Sequence, residues 1–107
     1  MWLPLLALLI GLVIGLQFSF TVPEAAAPYT AVAILAAMDA ILGAMRADLD
    51  RTYANRIFVS GLVANIGLAL LLTYLGDRLG VDLALAAIVA FGVRMFTNLA
   101  IIRRHFL

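Results

Sequence analysis

The sequence predicts an all-α fold: a four-helix transmembrane bundle, one membrane domain over residues 1–107, with both termini in the cytoplasm. Three observations predict it. First, 66% of the residues are hydrophobic and 12% are charged, against about 45–50% and about 25% in soluble domains. A globule this small buries too little of its surface to hide that excess, so the apolar surface faces lipid. Second, the apolar residues fall into four runs, each close to the roughly 20 residues that cross a bilayer core as a helix. Third, the arginines are lopsided along the chain, which sets an orientation.

The first run, residues 2–20, reads WLPLLALLIGLVIGLQFSF. Pro4 fits a first helical turn, where its missing N–H costs nothing. Trp2 fits the membrane interface. Ala25 and Ala27 resemble a cleavage box, but no basic residue precedes the apolar stretch, so the run reads as a retained span. Gly11 and Gly15 make a small-residue face suited to close helix packing. The second run, residues 28–45, reads PYTAVAILAAMDAILGAM. The third, residues 57–75, reads IFVSGLVANIGLALLLTYL, and the fourth, residues 83–102, reads LALAAIVAFGVRMFTNLAII. None alternates as the strands of a membrane barrel do.

The connections are short. The longest polar one, residues 46–56, reads RADLDRTYANR. Residues 76–82, GDRLGVD, read as a tight turn. With four spans, the N-terminus, the 46–56 segment and the C-terminal RRHFL share one side. Arg46, Arg51, Arg56, Arg103 and Arg104 lie there, and Arg78 lies opposite. Basic residues concentrate on the cytoplasmic side, which places both termini there. Arg46, Asp48, Asp50, Arg51 and Arg56 then form a cytoplasmic loop. It reads either as a solvated connector or as a surface for a partner protein or anionic headgroups.

Several function classes fall away. There is no cysteine and one histidine, His105, so thiolate and poly-histidine metal sites are excluded within one chain. No cofactor or metal is expected. No nucleophile–base pair or phosphate-binding glycine loop is evident, so no enzyme is expected. A net charge of +1 carries no nucleic-acid signal, and no nucleic-acid partner is expected.

Charges inside the spans are the informative feature. Asp39 lies seven residues from Arg46, about 10 Å along a helix. Asn65 lies nine from Arg56 and Arg94 nine from Arg103, about 13 Å each. Asn98 lies about 7 Å from Arg103. Three helices thus bring an acid, a base and amides to similar depth. Intramembrane charges are costly and face one another or a polar cavity. Asp39 with Arg94 is the acid–base combination available, and Arg's planar fork suits a carboxylate. Small residues share these faces: Ala36 and Gly43 beside Asp39, Gly61 and Ala69 beside Asn65. Three readings stay open: a staple that fixes helix register, a proton or ion relay, and a pair formed between two chains.

In these residues the chain resembles the small basic protein family of bacterial inner-membrane proteins. The matching stretches are MWLP with GLVIGL, ILAAMDAILGAMRADL, FVSGLVANIGLA, and LGVDLALAAIVAFGVRMFTNLAIIRR. Asp39, Gly43, Arg46, Gly61, Asn65, Gly80, Asp82, Gly92, Arg94, Asn98, Arg103 and Arg104 carry the resemblance. It implies an integral protein of the bacterial cytoplasmic (inner) membrane whose genes often lie near cell-division and cell-envelope genes. The expectation is a non-enzymatic, homo-oligomeric scaffold in the lipid bilayer, with envelope or division proteins as partners. The alternative is a small multi-subunit transporter or pore that uses the Asp39, Asn65, Arg94 and Asn98 layer.

Overall fold

The computed structural model describes residues 2–17 and 21–106. Four α-helices follow in order: α1 (Trp2–Gln17), α2 (Ala27–Leu49), α3 (Asn55–Leu79) and α4 (Leu83–Phe106). A single 3₁₀ turn, Glu24–Ala26, leads into α2. Among the described residues there is no strand. The stretch containing α2, together with α3 and α4, supplies three helices long and apolar enough to cross a membrane. α1 is apolar but shorter over its described length. Residues 18–20, expected in the first span, lie outside the described residues.

Four of the helix ends have an identifiable cause. Pro28 lies in the first turn of α2, where a missing N–H breaks no hydrogen bond. α2 ends in a Schellman motif. Thr52 N–H donates to Ala47 O at 2.8 Å, and Arg51 N–H donates to Asp48 O at 3.1 Å. Arg51 takes the left-handed position of the motif, at φ 60°, which glycine occupies more comfortably. α3 ends at Gly80, φ 71°, with Val81 N–H donating back to Gly76 O at 3.1 Å. Asp82 caps α4, its Oδ1 accepting from Leu85 N–H at 3.1 Å.

These ends shift the expected boundaries outward. The hydropathic run at 28–45 stops at Arg46, but α2 continues to Leu49. The run at 57–75 is four residues short of the end of α3. Charged residues end a hydrocarbon span without ending a helix. The 46–56 segment therefore is not all loop. Arg46 and Asp48 belong to α2, Arg56 belongs to α3, and the turn between them is residues 50–54.

Three tertiary contacts fix the helix directions. Tyr29 Oη, early in α2, donates to Asp77 Oδ2, late in α3, at 2.7 Å. Arg46, late in α2, bonds Asn98, late in α4. His105 Nε2 approaches Asp50 Oδ1 at 3.5 Å at the same end. α2 and α4 thus run parallel, and α3 runs antiparallel between the two in sequence. Their shared core holds Val32, Ala36, Ala69, Ala87 and Phe91, with Leu35, Ile66 and Leu70 packed against it. Three of those five core residues are alanines, which let membrane helices approach closely.

α1 does not share that core. Pro4 is its one buried residue. Its neighbour is α2. The expected compact bundle of four is therefore a bundle of three with α1 beside it. The physical reason lies in its composition. α1 is apolar on every face, and in lipid an apolar face gains nothing by leaving the acyl chains.

Candidate functional site

The polar residues of the three-helix unit form two tiers near its arginine-rich end. The first centres on Asp39, in the middle of α2 and fully buried. Asn65, on α3, donates Nδ2 to Asp39 Oδ2 at 3.3 Å. Arg94, on α4, brings Nη2 to the same oxygen at 3.3 Å. Both partners come from the same chain, so the acid–base pair closes within one protomer. The second carboxylate oxygen, Oδ1, is buried with no hydrogen-bond partner among the described residues. The pair is lopsided: the Arg94 side chain is 60% exposed while that of Asp39 is 0% exposed.

The second tier lies one to two turns nearer the helix ends. Arg46 Nη1 donates to Asn98 Oδ1 at 3.2 Å. Asn98 was expected beside Asp39; it instead pairs with Arg46, a residue expected in a loop. The cause is the extra turn of α2, which carries Arg46 along the α4 surface.

A cleft of about 180 Å³ connects the first tier to the end of the molecule. It runs between α2 and α3, from Asp39 and Asn65 past Gly43 and Gly61 to Thr52 and Tyr53 in the turn. Gly43, Ala40, Ala44, Ala47, Ala54 and Gly61 supply the small part of its walls, beside the larger Tyr53, Ile57 and Phe58. Gly61 was expected to be a helix-packing position. A Cβ built there meets nothing within 4 Å, and the same holds at Gly11 and Gly15. Within one chain these glycines face space rather than a neighbouring helix. Gly43 is closer to its expected role, with a Cβ position 3.9 Å from Asn98 Nδ2. Ala36 is fully buried in the core.

The glycine that does hold a close approach is Gly76, read from the sequence as part of a turn. It lies in α3, and a Cβ there would stand 2.5 Å from Val81 O and 3.0 Å from Leu83 N. No sequence signal separated it from the turn glycine Gly80. Near the 50–54 turn, Tyr53 Oη donates to Asn55 Oδ1 at 2.6 Å. Burial and the nearby Asp48 carboxylate push the Tyr53 hydroxyl above its ordinary pKa. Asp48, Asp50, Arg51 and Arg56 are exposed around this turn.

Chemically, the first tier is a carboxylate held by one neutral and one cationic donor. Such a group fixes helix register when its partners stay in place. Among the described residues, no three His, Cys, Asp or Glu side chains are grouped as metal ligands would be.

The family described as "Protein of unknown function (DUF1290)" matches residues 22–107. The chain is 51% identical over 107 residues to a Bacillus subtilis protein named "Small basic protein", covering 100% of this chain and 88% of that one. It is 45% identical over 101 residues to an uncharacterized protein of Mycobacterium bovis, covering 92% of this chain and 84% of the relative. An uncharacterized Mycobacterium tuberculosis protein matches at the same identity and coverage. No solved structure matches the chain. The residues of both polar tiers fall inside the matched segment, and the chain belongs to the DUF1290 family of unknown function.

Proposed function

We propose that this protein is a non-enzymatic, multi-pass scaffold of the bacterial cytoplasmic membrane that assembles as a homo-oligomer. The observation that carries the reading is α1: a helix apolar up to its terminal Gln17, with only Pro4 buried. It stands beside a three-helix unit that is already stapled by its own polar pairs. A small-residue face at Gly11 and Gly15, open to its surroundings, suits close packing against a helix of another chain. Five arginines at one end favour an orientation with both termini cytoplasmic. The 50–54 turn is then the exposed polar surface for envelope or division partners, an association that rests on the family resemblance.

Crosslinking and native mass spectrometry in nanodiscs test the assembly. A defined oligomer is expected, and a monomer at high protein-to-lipid ratio refutes it. In-cell crosslinking from Asp50 or Arg51 tests the partner surface, with envelope or division proteins as the expected capture.

One observation favours a second reading, a small transporter or pore. The α2–α3 cleft opens a route from the turn to Asp39. Proteoliposome flux abolished by Asp39→Asn supports transport. Absence of flux, with the same variant lowering stability, supports the scaffold.

A further inference from the structure

A groove of about 350 Å³ runs between α2 and α4, bordering the Asp39 cleft at Gly43 and Arg94. Gly43, Arg46, Val93, Arg94, Thr97 and Asn98 line it. Two guanidiniums therefore share one concave surface. Arg94 commits Nη2 to Asp39 and leaves 60% of its side chain exposed. Arg46 gives Nη1 to a neutral amide oxygen, and no carboxylate among the described residues pairs with it.

Of the remaining polar groups, Asn98 adds one further donor. Asn98 is 7% exposed. Its Oδ1 accepts from Arg46, and its Nδ2 donates to no acceptor among the described residues. Gly43 leaves that nitrogen uncovered, since a Cβ there would stand 3.9 Å away. Thr97 directs its hydroxyl proton to Val93 O at 3.0 Å, so the groove's donors are nitrogens. Two arginines against one carboxylate leave a single positive charge in the groove.

We propose that this groove binds the phosphate of an anionic membrane phospholipid, with Arg46 and Arg94 as cationic arms and Asn98 Nδ2 as a neutral donor. A phosphodiester carries one negative charge, which matches the surplus. Arginine's planar fork suits phosphate oxygens. The groove lies on the outer surface of the helix pair, where Val93 is 60% exposed, an apolar rim for acyl chains. Arg46 sits in the last turn of α2, near headgroup depth, and Arg94 reaches toward it from deeper in α4. Long arginine side chains extend in this way to the interface. The inference requires the membrane span but not the assembly role.

The test is native mass spectrometry of the full chain in detergent, with short-chain phosphatidylglycerol, phosphatidylcholine or inorganic phosphate added in turn. Retention is read per chain, so the result is independent of oligomeric state. Wild-type protein is expected to retain phosphatidylglycerol over phosphatidylcholine, and to gain no thermal protection from inorganic phosphate. Arg46→Gln keeps a donor for Asn98 and is expected to lower phosphatidylglycerol retention by about tenfold, the loss of one charge-assisted contact. Arg46→Lys should fall between the two. Equal retention of the two lipids by the wild type overturns the proposal without reference to any variant. So does unchanged retention by a folded Arg46→Gln protein. Protection by inorganic phosphate equal to that by the lipid overturns the lipid assignment in favour of a soluble anion.

Discussion

Removing Arg94 should damage this protein far more than neutralising Asp39, and removing both should undo most of the damage. Asp39 is fully buried, its Oδ1 has no partner among the described residues, and its Oδ2 accepts from both Asn65 and Arg94. Arg94→Met leaves a buried carboxylate with one neutral donor. Stranding a buried charge costs about 3–5 kcal/mol. The exposed Arg94 head is already partly solvated, so the expected loss is about 3 kcal/mol, the low end of that range. Asp39→Asn leaves no stranded group. Its amide still meets Asn65, and Arg94 is free to turn outward toward headgroups. That change should cost about 1 kcal/mol, one net hydrogen bond. Additivity would put the double variant at about 4 kcal/mol. With no buried charge left, it should instead cost about 1–2 kcal/mol, a coupling of about 2–3 kcal/mol. Equilibrium unfolding in mixed micelles measures all four corners of the cycle. Additivity within about 0.5 kcal/mol, or a larger loss for Asp39→Asn than for Arg94→Met, refutes the staple.

Three further outcomes are expected. Gly76→Ala forces a Cβ against Val81 O and Leu83 N; backbone atoms yield poorly, so unfolding measurements should show a loss of about 1–3 kcal/mol. Arg51→Gly relieves a left-handed residue at φ 60° and should raise stability by about 0.5–1 kcal/mol, read as a higher melting temperature. Gly11→Leu with Gly15→Leu meets open space within the chain, so protomer stability should hold while crosslinked oligomer falls; unchanged crosslinking would exclude that face from assembly.

Much of the fold was legible because hydropathy reports spans directly. The runs at 28–45, 57–75 and 83–102 correspond to α2, α3 and α4. Counting residues from the flanking arginines also brought Asp39, Asn65 and Arg94 to a common depth, because helical rise is constant. What hydropathy does not report is contact. Nothing in WLPLLALLIGLVIGLQ distinguishes a helix inside a bundle from one beside it, so the position of α1 was not legible. The end of α2 was hidden for a different reason. Its left-handed terminal residue is Arg51, where a glycine would have marked the stop. That hidden turn placed Arg46 in a loop and deprived Asn98 of its partner.

The distribution of polar contacts explains why α1 stands apart. In lipid, apolar surface is a weak guide to which helices associate, and polar pairs and small residues decide it. The α2–α4 unit has ties along its length: Tyr29 to Asp77 at one end, Asp39 with Asn65 and Arg94 within, and Arg46 to Asn98 near the other. Each links two different helices, and together they specify one arrangement of three. α1 contributes no described side chain to any of these pairs. Its one strongly polar residue, Gln17, closes its described length and is exposed. Outside these ties, α1 keeps its Gly11 and Gly15 face open within the chain. The polar ties thus pin three helices to one another and leave α1 outside them.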